Sequence, residues 1–219
     1  YLCIDKQGTL WAASLREGTL TYFDQKSQRF VSLPLHEKGN SKISAMYALL
    51  CDYQDQIWVG TWDKGIALVN KSTGEITSFV PDSKIGGIGH IHYIYEYKRG
   101  MLLIGSDDGL LSFNTHTHEF KEVSLSEKNG NSLAFRFIYP IYKDREGGLW
   151  IGSYYDGVSY SSPGTSLFEG FEQSSFHNSV NGNVISKFCE DNQGNLWIGS
   201  DDGGLSCMKL SLWPCCLNR

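Results

Sequence analysis

Asp191-Asn-Gln-Gly194-Asn-Leu-Trp197-Ile-Gly-Ser200 is the phrase on which the fold turns, because the chain repeats it. The same frame reads Asp5-Lys-Gln-Gly8-Thr-Leu-Trp11, Asp52-Tyr-Gln-Asp55-Gln-Ile-Trp58 and Asp144-Arg-Glu-Gly147-Gly-Leu-Trp150. Trp11, Trp58, Trp150 and Trp197 stand 47, 92 and 47 positions apart, and Leu103 in GMLLIGSDDG divides the wide interval. One unit of about 47 residues therefore occurs five times, a period in the range of blade-like repeats.

Side chains two apart on a strand share a face. In Leu196-Trp-Ile-Gly-Ser200, Trp197 and Gly199 share one face, and Leu196, Ile198 and Ser200 the other. Short strands that are apolar on both sides need cover on both sides, and a stack of similar sheets supplies it. The glycine two after each anchor (Gly60, Gly105, Gly152 and Gly199, with Ala13 in the first copy) leaves room beside the indole and reads as packing.

The second copy predicts four strands, at 43–52, 56–61, 65–70 and 75–80, separated by short turns rich in Asp, Gly, Asn and Ser. The Asp-x-x-Gly step joins the first two strands: Asp bonds its own backbone and Gly takes positive φ, so these aspartates read as turn formers and not catalysts. No stretch carries long helical periodicity. The expected fold is all-β, a β-propeller of four-stranded antiparallel blades in about five repeats, near 1–33, 43–80, 91–123, 135–171 and 184–209. Residues 210–219 abandon the repeat and read as a divergent or truncated tail. The start at Tyr1, inside a strand and without methionine, suggests a missing N-terminus.

A formal charge of −5 and the lack of a Lys/Arg cluster argue against a nucleic-acid surface. No apolar run of 18 or more residues predicts a membrane span, so this segment is expected to make no direct membrane contact. The six cysteines follow no scaffold spacing. Cys3, Cys51 and Cys189 fall in the first strands of three units and are expected to be buried thiols, while Cys215 and Cys216 lie in the tail.

The repeated Asp-x-x-Gly-x-[Leu/Ile]-Trp-[Ile/Val]-Gly-[Ser/Thr] resembles the two-component regulator propeller repeat. Asn40-Ser-Lys-Ile, Asn131-Ser-Leu and Asn178-Ser-Val are similar to that family's Asn-Ser-Leu lead-in to each blade. The third copy departs, with Tyr97 for Asp and Leu103 for Trp, and the second has Asp55 for Gly. The resemblance implies the periplasmic, extracytoplasmic part of an inner-membrane hybrid sensor of Bacteroidetes, in which this chain forms part of a seven-bladed propeller. It implies oligosaccharide or other small-ligand sensing. The other blades and the downstream sensor domains, including a histidine kinase, would be partners in the parent chain, and homodimerisation is compatible with it. The chain itself would catalyse nothing and need no cofactor.

Propeller geometry places the loops between second and third strands on the same rim as the connections between blades. These loops carry Arg16 and Glu17; Trp62, Asp63 and Lys64; Asp107 and Asp108; Tyr154, Tyr155 and Asp156; and Asp201 and Asp202. Aromatic faces cover the apolar side of a sugar and carboxylates accept its hydroxyl hydrogens, so the expected ligand-binding set is Trp62, Asp63, Asp107, Asp108, Tyr154, Tyr155, Asp156, Asp201 and Asp202. The plainer reading is a set of ordinary polar turns. His90 and His92 precede or begin a first strand, whereas His116 and His118 lie between third and fourth strands, on the opposite rim. The four cannot converge on one metal, and no metal site is expected.

Asp-x-x-Gly-x-x-Trp also resembles the Asp-box turns of sialidases, which are structural. The arginines are scattered, no Tyr/Glu pair stands out as nucleophile and base, and no Gly-x-Ser-x-Gly phrase occurs. A propeller glycosidase or lyase is thus the weakest alternative, behind a secreted propeller acting as a glycan- or protein-binding scaffold.

Overall fold

The computed structural model describes residues 1–15, 18–37, 43, 45–82, 90–123, 125–127, 132–133, 136–164, 167–171, 173 and 179–209. All regular structure in them is antiparallel sheet but for one parallel pairing and two isolated parallel bridges, with no helix among the described residues. The chain divides into two compact units, Tyr1–Val123 and Ser124–Arg219.

The first unit holds three four-stranded sheets, each in chain order. They are β1 (Leu2–Ile4), β2 (Leu10–Ala13), β3 (Thr19–Asp24) and β4 (Arg29–Pro34); β5 (Met46–Cys51), β6 (Ile57–Thr61), β7 (Ile66–Val69) and β8 (Ile76–Phe79); and β9 (Ile91–Lys98), β10 (Met101–Ser106), β11 (Gly109–Asn114) and β12 (Phe120–Glu122). The strands read from the second copy are present, each trimmed at its ends by the turns.

In the second unit β15 (Ile138–Lys143), β16 (Leu149–Ser153), β17 (Val158–Ser161) and β18 (Leu167–Phe171) form the repeat sheet. A small hairpin, β13 (Leu125–Glu127) with β14 (Ser132–Leu133), extends it to six strands, β13 running parallel to β18. The fifth sheet has three described strands, β19 (Ile185–Glu190), β20 (Asn195–Ser200) and β21 (Gly204–Lys209).

Within each unit, neighbouring repeat sheets pack first strand against first strand, β1 on β5 and β5 on β9 in the first unit and β15 on β19 in the second. The core consists of the layers between sheets. Trp11, Ala13 and Leu20 meet Met46, Ile57 and Val59; Trp58 and Ile66 meet Ile91, Leu102 and Ile104; Trp150 and Val158 meet Ile185, Leu196 and Ile198. The indoles of Trp11, Trp58 and Trp150 each point at the following sheet. The glycine beside the latter two is what permits the approach: a Cβ on Gly60 would lie 2.6 Å from Ile91 Cγ2, and one on Gly152 would lie 2.5 Å from Ile185 Cγ2.

The cysteines differ from the expectation of buried thiols. Cys3 and Cys51 form a disulfide with Cα atoms 6.0 Å apart, joining the first strands of two neighbouring sheets, and Cys189 is exposed, as is Cys207. The reading missed the pairing because Cys3 lies eight residues before its Trp and Cys51 seven before its own, two positions that meet only when sheets are stacked. Cys215, Cys216 and the tail lie outside the described residues.

Candidate functional site

Two turn devices that recur from sheet to sheet set the rims. On one rim the repeat aspartate closes the turn between first and second strands. Asp5 Oδ1 accepts from the Gln7 and Thr9 amides, Asp52 Oδ1 from Gln54 and Gln56, and Asp191 Oδ1 from Gln193 and Asn195. The other carboxylate oxygen accepts from the anchor indole: Trp11 to Asp5 at 2.8 Å, Trp58 to Asp52 at 2.9 Å, Trp150 to Asp144 at 2.7 Å and Trp197 to Asp191 at 3.0 Å. These acids are committed to structure. The sequence showed that Asp and Trp recur together; it did not show that they bond.

A groove of about 400 Å³ lies on this rim, lined by Asp55, Asn70, Lys71 and Glu75 among others. Its cation is already neutralised, since Lys71 reaches Asp55 at 2.7 Å and Asp5 at 3.3 Å. It offers no aromatic face to a ligand, so the site is better drawn on the opposite rim.

There the hydroxyl that ends each second strand folds the following loop. Thr61, Ser106 and Ser200 donate to the carbonyls of Gly65, Gly109 and Gly204, and Ser153 Oγ accepts from the amides of Tyr155 and Asp156. The next residue is Trp62, Asp107, Tyr154 or Asp201. Its amide donates to the carbonyl of Ala45, His90, Phe137 or Val184, which precedes the first strand of the same sheet. That pairing puts the loop between second and third strands beside the lead-in to the sheet, as propeller geometry requires.

In the first unit, this rim gathers Trp62, His90, His92, Asp107 and Tyr47. The His90 ring stacks on the Trp62 indole with centroids 3.2 Å apart, so one face of that indole is occupied. Tyr47 tilts against Trp62 at 5.3 Å. Asp107 is held by His90 Nδ1 at 2.6 Å and His92 Nε2 at 2.5 Å. Burial pushes the His92 pKa down, and the contact with Asp107 only partly offsets it. The sequence assigns these two histidines no role at the rim; they are the partners that fix Asp107. His116 lies on the other rim, near Tyr53, and His118 packs on Phe79. Asp63 and Asp108 are exposed at the loop tips. Lys64 is paired with Glu37 at 2.5 Å, and the Arg16 and Glu17 positions lie outside the described residues.

In the second unit the rim is aromatic. Tyr154 packs against Tyr139 at 5.6 Å and Tyr155 at 4.9 Å, and Tyr155 meets the edge of Phe137 at 5.5 Å. Tyr154 and Tyr155 remain 38% and 61% exposed, enough to present ring faces to a ligand. Phe137 has φ of 56°, a left-handed backbone that a bulky residue adopts only under constraint from its surroundings. Burial raises the Asp156 pKa. Asp202 is spent on backbone, accepting from the Asn183 and Val184 amides, and Asp201 stands exposed beside it. Of the nine expected residues, Trp62 joins Asp107 through His90, and Tyr154, Tyr155 and Asp156 form one cluster, whereas Asp202 serves its own turn.

The family model of the two component regulator propeller matches residues 132–155 and 179–202. No curated protein matches the chain. Among solved structures, the extracellular domain of a protein classed as a hybrid two component system of B. thetaiotaomicron aligns with a TM-score of 0.73 at 21% identity, over 94% of this chain and 26% of that one. PorZ, a surface component of the type-IX secretion system of Porphyromonas gingivalis, aligns with a TM-score of 0.72 at 17% identity, over 95% and 31%. The WD40 β propeller domain of Doa1 aligns with a TM-score of 0.64 at 15% identity, over 94% and 62%. The likeness is one of fold, and the fold is the β-propeller. The chain spans about a quarter of the length of the first of these structures.

Proposed function

We propose that this chain, two segments of which match the family model of the two component regulator propeller, is the ligand-sensing part of an extracytoplasmic sensor responding to oligosaccharides. The kinase that reads the signal would lie elsewhere in the parent protein, and this segment would bind and not catalyse. The observation that carries the reading is the cluster of Tyr154, Tyr155 and Asp156. It pairs exposed ring faces with a carboxyl on a loop fixed by Ser153, the combination that covers a sugar's C–H face and accepts its hydroxyls. Trp62 beside Asp107 offers a second such pairing in the other unit. The Cys3–Cys51 disulfide supports an oxidising, extracytoplasmic compartment.

The test is a thermal-shift and calorimetric screen of the purified chain against plant and host oligosaccharides. A ligand at a hundred times its Kd should stabilise the native state by about 2.7 kcal/mol. Tyr154→Ala should abolish that shift without lowering the melting temperature of the free protein by more than a few degrees. A complete panel with no shift would count against sugar sensing and favour a second reading, a protein-binding scaffold, to which the likeness to PorZ, a secretion-system surface component, lends support.

A further inference from the structure

The Tyr154-Tyr155-Asp156 loop is held from two sides. Within its own sheet, β15 to β18, the Ser153 hydroxyl accepts from the Tyr155 and Asp156 amides, and the Phe137 carbonyl accepts from the Tyr154 amide. Its far end reaches outside the sheet. The Gly157 amide donates at 3.2 Å to the carbonyl of Asn183, in the lead-in to the fifth sheet. Asn183 meets the same neighbour a second time, for its side-chain oxygen accepts at 2.7 Å from the amide of Gln173, two residues beyond β18.

Asp202 sets the position of Asn183. The Asn183 and Val184 amides donate to the two oxygens of that one carboxylate at 3.0 Å each, and they hold its pKa below the ordinary carboxylate value, so the ionised form is the one they grip. The lead-in lies close against the loop of its own sheet: a Cβ on Gly182 would stand 2.2 Å from Asp202 Oδ1, and one on Gly203 would stand 2.2 Å from the Asn181 carbonyl oxygen. Two glycines thus let the lead-in settle on the acid, and the acid aims the Asn183 carbonyl at Gly157 of the preceding sheet.

The first unit builds the same relay from other side chains. His90, in the lead-in to the third sheet, stacks on Trp62 of the second sheet's loop, and its amide and Nδ1 meet Asp107 Oδ2 at 3.4 and 2.6 Å. In each unit an aromatic rim loop leans on the lead-in to the next sheet, and a carboxylate from that next sheet's own loop holds the lead-in.

We propose that Asp202 is a positioning residue for the binding loop of the preceding sheet, acting on Tyr154, Tyr155 and Asp156 through the Asn183 main chain and not by touching a sugar. The proposal rests on the reading of that loop as a sugar site, and it divides the work of the acids. Asp156 is the carboxyl that meets a hydroxyl. Asp202 fixes the posture of the loop, so that the ring faces are in place before a sugar arrives.

Amide exchange of the purified chain, followed by NMR, tests the relay without any sugar. Asp202→Ala should speed exchange of the Gly157 amide about tenfold, the scale of one charge-assisted hydrogen bond lost from the relay. Asp202→Asn, which keeps one acceptor oxygen, should recover part of that loss. Asp201→Ala should leave Gly157 unchanged, because Asp201 meets the lead-in through its amide, which donates to the Val184 carbonyl at 2.9 Å. Unchanged exchange at Gly157 in Asp202→Ala would overturn the proposal. So would an equal acceleration along β16, which would make Asp202 a contributor to general stability alone. Calorimetry with cellohexaose, xylohexaose and maltohexaose separates the two readings. A sugar that binds the parent chain should bind Asp202→Ala about tenfold more weakly, and Asp202→Asn less so. Full affinity in Asp202→Ala would overturn the positioning role and leave the sugar site standing. Binding of none of the three would count against sugar sensing, and exchange at Gly157 would still decide the relay.

Discussion

The hydrogen bond from each anchor indole to its aspartate, buried in three of the four copies that make it, explains how the third copy departs. Where Asp is replaced by Tyr97, the Trp six residues on is replaced by Leu103, so donor and acceptor are absent together and neither is left buried without a partner. Asp144→Ala should strand both the Trp150 Nε1–H and the Gly148 amide, which donate to it at 2.7 Å each. The cost should be about 1–3 kcal/mol per stranded donor, read as a lower urea midpoint at unchanged slope. Adding Trp150→Leu should cost less than the sum of the two single changes, because the second removes a donor the first had orphaned. The turn role of these aspartates was legible from spacing alone. The indole bond was not, although the joint loss in the third copy was its trace in the sequence. Asp55 shows a similar limit: it occupies the glycine position of its turn with φ of 68°, and its carboxylate holds the Lys6 amide and the Lys71 ammonium of neighbouring turns, contacts no local pattern encodes.

At the scale of the strand, alternation and glycine placement carried most of the information, since each sheet is apolar on both faces for one reason, the sheet on either side. That cause gives a graded expectation. Gly60→Ala and Gly152→Ala press a methyl into Ile91 and Ile185 and should each cost about 1–3 kcal/mol. Gly199→Ala should fall within about 0.5 kcal/mol of the parent under conditions where the chain is monomeric. Equal losses at all three positions, measured by chemical denaturation, would mean that backbone freedom and not close approach selects the glycine. What alternation could not show is pairing between segments distant in sequence. The β13–β14 hairpin is too short to announce itself, and its parallel bond to β18 crosses some 40 residues of chain. The Cys3–Cys51 bridge closes a loop of 48 residues, and Cys3→Ser should cost about 2–4 kcal/mol under oxidising conditions. The same substitution should change little once reductant has opened the bond in the parent protein.

Each unit shows the same division of labour by itself: carboxylates on its indole rim hold turns, and aromatic rings gather on its other rim. The rim loops were legible because the propeller order of strands fixes which connections emerge together. The partners of the site were not: His90 stacks on Trp62 from the neighbouring sheet, while His90 and His92 hold Asp107, and Tyr47 meets Trp62, through side-chain packing within one sheet that alternation does not encode. Those placements set the pH response of the whole fold. Burial holds the His92 pKa below its ordinary value, so the native state favours the neutral ring more than the unfolded chain does. The stability this provides is complete above the unfolded value of about 6.5 and is lost as pH falls through the lower native value. Asp5 follows the same sign further into acid: burial raises its pKa, but the bonds from Trp11, Thr9 and Lys71 outweigh that and leave it lowered, so its contribution disappears below about pH 4. Glu96 and Asp156, raised by burial, act in the opposite sense and gain stability on protonation. Acidification from pH 7.5 to 5 should therefore lower the melting temperature first through His92, before any turn carboxylate titrates. His92→Gln, which keeps a donor for Asp107 and cannot take up the proton, should flatten the curve over that interval and leave the fall below pH 4 intact. An unchanged slope between pH 7.5 and 5 in that variant would rule out His92 as the source of the early loss.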